Sequence, residues 1–249
     1  MVKSVSRALE LLQLIGNGNK KYTLAEISKM SSLPPSTVHR LLLTLKEHGF
    51  VNQDEISTLY YLGPSLVSLG IKASNFIDLR KAALPVMENM SKITGEDSYL
   101  VISDHDKGIF IEHVNGHHPL KIIDSLGTQV PLHCGAIRKV LLAHKDRQFI
   151  EDYMNRHLEK YTEFTITNPS VLLEDLESIK RNNYAFSISE YIQDAFGIGC
   201  PIRDSFGKVI ASIGIIGPAS RLDENNKDTL ISIVRESADK LSKELGYDV

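Results

Sequence analysis

The chain has 249 residues, of which 42% are hydrophobic and 24% charged, with a formal net charge of −3 at pH 7. Such a composition is enough to bury a hydrophobic core. No apolar run approaches the ~18 residues that a membrane-spanning helix needs, and two cysteines do not make the framework of a disulfide-rich secreted domain. We therefore expect one or two soluble domains in the cytoplasm, with no membrane partner.

Charge is distributed unevenly along the chain. Residues 1–62 contain seven Lys/Arg and five Asp/Glu, a balance of +2. The rest contains 21 Lys/Arg and 26 Asp/Glu, a balance of −5. A mildly basic segment on an acidic body indicates that the segment binds nucleic acid. Because the excess is small, we expect tight binding to require at least two copies.

The first predicted element is an amphipathic helix that ends near residues 16–18. Its Gly-Asn-Gly sequence is typical of a helix end. One apolar stripe follows from the helical period and makes the helix amphipathic. The stripe consists of Val5, Ala8, Leu9, Leu12 and Ile15.

Two short helices joined by a tight turn follow between residues 23 and 50. Thr23 and Glu26 have the spacing of a capping box, which satisfies backbone amides at a helix start. Pro35 is suited to the first turn of the next helix, and Gly49 to its left-handed cap. The second helix carries a predicted buried stripe of Val38, Leu41, Leu42 and Leu45. The pattern predicts a helix-turn-helix, with an ordinary helical hairpin as the alternative.

A β-hairpin is predicted directly after these helices. Residues 50–53 and 59–62 have strand composition, and residues 54–58 form a polar tip between them. A hairpin in this position is typical of a wing, and it favours a winged helix-turn-helix. The outward face of the second helix would then enter the major groove of operator DNA. The candidate DNA-binding residues on it are Ser36, Thr37, His39, Arg40, Leu43 and Thr44.

The remaining chain predicts helices and short strands. An apolar-striped helix is predicted at residues 64–78, and we interpret it as a linker and dimerisation element. The next predicted helix, at 79–93, contains Pro85 and should kink. Further helices are predicted at 136–143, 168–180 and 225–245. Strands are predicted at 99–103, 108–114, 120–124, 186–189, 199–202 and 209–216.

Several motifs, in order along the chain, accompany the helix-turn-helix. They are SVSRALELL (4–12), YLGPSLVSLG (61–70), TGE (94–96), VPLHCGAIRKVLLA (130–143), AFGIGCPI (195–202) and DSFGKVIASIGIIGP (204–218). Over nearly its whole length the chain resembles the IclR family of bacterial transcriptional regulators. The resemblance implies an α+β protein: a winged helix-turn-helix at 1–63, a linker helix at 64–78, and a GAF-like α/β effector domain with a curved antiparallel sheet at 79–249. It also implies a ligand-responsive transcription factor, a repressor or an activator, that acts as a homodimer or homotetramer.

A ligand site is expected where residues 131–135 lead into the helix at 136–143. Free amides at a helix start attract anions, and Gly135 lets a ligand approach the backbone. The resemblance implies effector contacts at Ile122, Val130, Ala136, Ile137, Ser187, Ala195 and Gly197.

The chain departs from some relatives, which place a carboxylate and a thiol at the positions of Ser187 and Gly197. Polar recognition is therefore expected to involve Ser189, Glu190 or Cys200 as well. A small organic or sugar acid is the expected effector. A well-packed sheet corner without a ligand, in a constitutive regulator, is the alternative.

Signs of catalysis are weak. The sequence has no Gly-x-Ser-x-Gly, Walker or HExxH motif, so we expect no catalytic residues and no cofactor. His113, His117 and His118 could ligate a metal, but solvated loop histidines explain them better, and no metal is expected. Adjacent residues of one strand face opposite ways, so His133 should not activate Cys134. An enzyme with Cys200 as nucleophile is the alternative from a different class.

Overall fold

The computed structural model describes residues 2–18, 20–69, 78–118, 126–223 and 225–247. The chain divides into two compact units, Met1–Asp78 and Leu79–Val249. The predicted strand at 120–124 lies outside the described residues, as does most of the predicted linker helix. Of that helix, residues 65–69 are described and helical.

Three helices form the body of the first unit. Thr23 Oγ1 accepts a hydrogen bond from the amide of Glu26 at 3.2 Å, and the Glu26 carboxylate accepts one from the amide of Thr23 at 2.8 Å. The predicted capping box is thus confirmed, as is the left-handed Gly49, with φ +71°. The helices are α1 (Lys3–Gly16), α2 (Leu24–Ser31) and α3 (Pro35–Glu47).

The core of this unit contains only part of the predicted apolar stripe of α1. Val5 and Leu9 of α1 are each 55% exposed, whereas Leu11 and Ile15 are buried. The helical period allows two overlapping stripes on α1, and α2 and α3 cover the one centred on Leu11 and Ile15. On α3, the predicted Val38, Leu42 and Leu45 are buried and Leu41 is half-buried.

The predicted wing is an antiparallel hairpin of β1 (Val51–Gln53) and β2 (Tyr60–Leu62). Tyr22, which precedes α2, exchanges two backbone hydrogen bonds with Tyr60, of 2.9 and 2.7 Å. The hairpin is therefore joined to the segment that leads into the helix-turn-helix.

The described part of the second unit forms an antiparallel sheet of six strands. The strands are β3 (Asp97–Asp104), β4 (Lys107–Val114), β5 (Gln129–Pro131), β6 (Ala185–Ile188), β7 (Ala195–Arg203) and β8 (Val209–Pro218). Their order in the sheet is β5-β4-β3-β8-β7-β6, so the two central strands, β3 and β8, come from opposite ends of the unit's sequence.

Among the residues that the structure describes, five α-helices accompany this curled sheet, and the expected α+β class is confirmed. The predicted helix at 136–143 is found with those bounds, but the helix at Arg147–Met154 and strand β5 were not predicted. The helix at 78–94 continues through Pro85. The helices are α4 (Asp78–Thr94), α5 (Ala136–Ala143), α6 (Arg147–Met154), α7 (Pro169–Asn182) and α8 (Lys227–Glu244).

Helix α5 packs against β7 and β8 closely enough to require glycine. A Cβ atom on Gly199 would lie 2.6 Å from Ile137 Cα, and one on Gly214 would lie 2.7 Å from Ile137 Cγ1. Helix α8 also packs against β7 and β8, through Ile231, Val234, Ala238 and Leu241.

Within the described part of the chain, no helix is both long and apolar enough to span a membrane.

Candidate functional site

The candidate DNA-binding side chains lie on the outer surface of α3. Thr37 is half-buried, and the other five predicted residues are exposed: Ser36, His39, Arg40, Leu43 and Thr44. Thr37, Arg40 and Thr44 also line a groove that α3 forms with α1, beside the exposed Val5 and Leu9. No ion pair joins Arg40 to another described residue, so its guanidinium is available for a base or a phosphate.

The two lysines before α2 form ion pairs with carboxylates. Lys21 Nζ lies 2.7 Å from Asp54 Oδ2, and Lys20 Nζ lies 2.9 Å from Glu26 Oε1. Asp54 also accepts hydrogen bonds from the amides of Ile56 and Ser57. The hydrogen bond from Lys21, followed by those from the amides, holds the pKa of Asp54 below its ordinary value.

The tip of the wing carries little positive charge. It presents the acidic Glu55 and the 96%-exposed Ile56 to solvent. Because this tip has no basic side chain, the positive charge available for DNA lies mainly on the helices.

In the second unit, a small cavity lies at the start of α5. Its volume is about 30 Å³, enough for about two water molecules. Its walls come from the first turn of α5, from β4, β6, β7 and β8, and from the turn between β6 and β7. Lining residues are Phe110, Gly135, Ala136, Ile137, Arg138, Ser187, Glu190, Tyr191, Ile192, Ala195, Phe196, Gly197 and Ile216.

Seven of the eleven residues predicted for the effector site line this cavity: Gly135, Ala136, Ile137, Ser187, Glu190, Ala195 and Gly197. Val130 is instead packed in the core, opposite Gly108 in the sheet. The hydroxyl of Ser189 accepts a hydrogen bond from the amide of Asp194 at 3.0 Å and does not line the cavity. Ile122 lies outside the described residues.

Cys200 is placed away from the cavity. Its neighbour Gly199 faces α5, so Cys200 points to the opposite face of β7, where it lies near Ala238 and Ser242 of α8. The residue is 1% exposed, and burial raises the pKa of its thiol. This location gives Cys200 no contact with a ligand in the cavity.

The first amides of α5 are occupied by oxygens of the protein itself. The amide of Ala136 donates to Ser187 Oγ at 3.0 Å, and the amide of Gly135 donates to Glu190 Oε2 at 3.1 Å. Gly135 has φ +80°, which favours glycine at this N-cap. A ligand that uses these amides must therefore compete with two side chains.

Glu190 belongs to a buried charge cluster that the sequence does not reveal. Lys139 Nζ lies 2.6 Å from Glu190 Oε1 and 2.7 Å from Asp175 Oδ2, and the lysine side chain is 1% exposed. Burial raises the pKa of Glu190, while the Lys139 ammonium acts in the opposite direction. The cluster joins α5, α7 and the turn between β6 and β7.

Arg138 is a second functional candidate that sequence reasoning missed. Its Nε donates to the carbonyl of Cys134 at 2.8 Å, and its guanidinium lies 4.2 Å from the ring centroid of Tyr191. Arg138 and Lys139 are both buried, although charged residues in a short helix are usually solvent-exposed. Only the tertiary packing reveals them.

The histidine and cysteine candidates for catalysis are not paired with each other. The ring of His133 contacts the Tyr153 hydroxyl at 3.1 Å and the Glu159 carbonyl at 2.9 Å. Burial lowers the pKa of His133 and raises that of Cys134 to about 11. Among the residues that the structure describes, no three His, Cys, Asp or Glu side chains are grouped to hold a metal ion.

Comparison with known proteins gives two family matches. Residues 4–55 match the IclR helix-turn-helix domain, and residues 71–243 match the C-terminal domain of bacterial IclR transcriptional regulators. The chain is 30% identical to the HTH-type transcriptional regulator KipR of Bacillus subtilis, over 98% of both chains. It is 31% identical to KdgR of Dickeya chrysanthemi, over 99% of this chain and 81% of that protein.

Solved structures agree with these matches. An IclR regulator from Alicyclobacillus acidocaldarius superimposes with a TM-score of 0.86 at 26% identity, over 98% of both chains. An IclR homologue from Microbacterium hydrocarbonoxydans, complexed with 4-hydroxybenzoate, has a TM-score of 0.83 at 25% identity, over 97% of this chain and 98% of that one. The chain therefore belongs to the IclR family: it is a transcriptional regulator with a helix-turn-helix DNA-binding domain and a C-terminal effector domain.

Proposed function

We propose that this regulator binds operator DNA as a dimer or tetramer and releases or retains it in response to a small organic or sugar acid. The observation that carries the proposal is the cavity at the start of α5, where backbone amides, hydroxyl groups and buried charges converge. Helix amides favour an anion, and the small volume favours a small one. The relative complexed with 4-hydroxybenzoate, a small carboxylic acid, supports this class of ligand.

The DNA-binding part of the proposal depends on α3 and on pairing of two copies. One copy exposes few side chains that can read bases, so a dimer that binds two half-sites gains specificity. We propose that the predicted linker helix at 64–78 mediates this pairing. Leu69, which is 50% exposed, should lie in the interface.

Sedimentation of the wild type and of Leu69→Asp tests the assembly. The wild type is expected to be a dimer or larger at micromolar concentration, and the variant a monomer, because an unpaired charge would be buried between the copies. A monomeric wild type would contradict the proposal.

A mobility-shift titration against a panel of small acids tests the ligand response. The wild type should change its DNA affinity with one of the acids, whereas Ala136→Leu should bind DNA equally well but no longer respond, because the larger side chain fills the cavity. A normal response by Ala136→Leu would place the effector elsewhere. Thermal denaturation of the variant checks that it is folded.

A constitutive regulator is a second candidate. It is favoured by the small cavity volume and by the amides that Ser187 and Glu190 already occupy. If no acid in the panel changes either the melting temperature or the DNA affinity of the wild type, this second function is the better one.

A further inference from the structure

We propose that the Glu190 carboxylate is an internal competitor of the effector: it occupies the anion position at the start of α5, and an effector carboxylate binds there by displacing it. The inference rests on the proposed function, because it concerns the same cavity. Glu190 would then set the affinity of the cavity for carboxylates.

The contacts of Glu190 are those of a bound anion. One carboxylate oxygen accepts from the Gly135 amide at 3.1 Å and the other from Lys139 Nζ at 2.6 Å. A helix N-terminus together with an ammonium group is a typical environment for a carboxylate ligand. The side chain lines the cavity, so a ligand entering the cavity would meet this carboxylate.

The backbone that carries Glu190 is fixed, so its side chain is the part that can move. The Glu190 carbonyl accepts from Thr165 Oγ1 at 2.6 Å, and the Ser189 carbonyl accepts from Thr162 Oγ1 at 2.5 Å. Ser189 and Asp194 have φ of +55° and +57°, which defines the turn between β6 and β7. Rotation of the carboxylate away from α5 requires none of these contacts to break.

Because of the charges around Lys139, an effector carboxylate must replace Glu190 rather than bind beside it. Lys139 is already paired with two carboxylates, Glu190 and Asp175. A third carboxylate beside one buried ammonium would be repelled by both. When Glu190 leaves, Lys139 stays paired with Asp175, and so the buried ammonium is never left without a counter-charge.

The cavity volume supports the same conclusion. With Glu190 in place, its volume of about 30 Å³ is small beside the roughly 300–1,000 Å³ of typical small-molecule sites. Departure of the Glu190 carboxylate would free the space next to the Gly135 amide that a ligand carboxylate needs.

Acetate rescue of Glu190→Ala tests the proposal, with acetamide as the neutral probe of nearly the same shape. The variant should melt at a lower temperature than the wild type, and millimolar acetate should restore much of the loss while acetamide does not. The matched control is Glu174→Ala, an exposed residue on α7 that should respond to neither probe. Equal responses to acetate and acetamide, or no response to acetate, would overturn the proposal.

Glu190→Gln keeps the shape of the side chain and covers the case in which the alanine variant fails to fold. Acetate should bind this variant about tenfold more tightly than the wild type in calorimetry, because a charged competitor has become a neutral one. Equal affinities for both proteins would overturn the proposal. Neither readout uses DNA, so a protein that passes these tests but ignores every acid in the mobility-shift assay would refute the proposed function alone.

Discussion

Gly199 of β7 and Gly214 of β8 are register partners in the sheet, directly beneath the first turn of α5. A Cβ atom on Gly199 would lie 2.6 Å from Ile137 Cα and 2.9 Å from Ile137 N, and one on Gly214 would lie 2.1 Å from the Ile198 carbonyl oxygen. The glycine pair therefore determines how closely the amide end of α5 approaches the sheet. The cavity depends on that distance.

We expect Gly199→Ala to destabilise the protein by about 1–3 kcal/mol, because the new methyl group meets helix backbone that cannot rotate away. Urea denaturation measures the loss. Gly197→Ala is the matched control, since its Cβ would meet the Ser187 hydroxyl at 3.2 Å, and it should cost less. Equal stability of Gly199→Ala and the wild type would mean that α5 can shift freely.

Arg40→Ala should weaken operator binding by roughly 1–3 kcal/mol, the range for one good base contact, without changing the melting temperature. A mobility-shift titration at two salt concentrations measures the effect. Loss of a base contact leaves the salt dependence nearly unchanged, whereas loss of a phosphate contact makes it shallower. Unchanged affinity would show that this face of α3 does not bind DNA.

Glu55→Lys should tighten DNA binding and steepen its salt dependence, because the exposed wing tip would gain a phosphate contact. The slope should change by about 0.9 for each contact added. Asp54→Asn should not tighten DNA binding in this way, because the Asp54 carboxylate accepts hydrogen bonds from Lys21 and from two amides of the tip. If Glu55→Lys binds like the wild type, the wing tip does not approach the DNA backbone.

Iodoacetamide should not label either cysteine of the folded protein at pH 7.5. Cys134 and Cys200 are 0% and 1% exposed, and burial raises the pKa of both thiols, to about 11 for Cys134. Since only the thiolate reacts, both cysteines should become reactive on unfolding in urea. Rapid labelling of Cys200 in the native state would revive the hypothesis of a nucleophilic enzyme.

Features with a local cause were accessible from the sequence. The capping box of Thr23 and Glu26 depends on residues three apart, and the apolar period of residues 136–143 predicts α5 with its observed bounds. Strand β7 was predicted only from residue 199, because its glycines reduce strand propensity, but it begins at Ala195. The family resemblance, rather than the spacing of apolar residues, led to the curved antiparallel sheet.

Features that depend on distant residues were not accessible in this way. Gly135 and Glu190 are 55 positions apart, and no periodicity indicates that one binds the other. Lys139 and Arg138 have the composition of a solvated helix face, yet α5 is covered on all sides. Polar contacts in the cavity follow from the order of the strands, which local patterns do not encode.

The attachment of the wing at two places has a consequence for binding entropy. Tyr22 joins β2 through the backbone, and Lys21 holds Asp54 at the start of the tip. A hairpin fixed in this way loses little conformational freedom when it meets a rigid double helix. The energy of any contact that the wing makes with DNA is then reduced only slightly by the cost of ordering the hairpin.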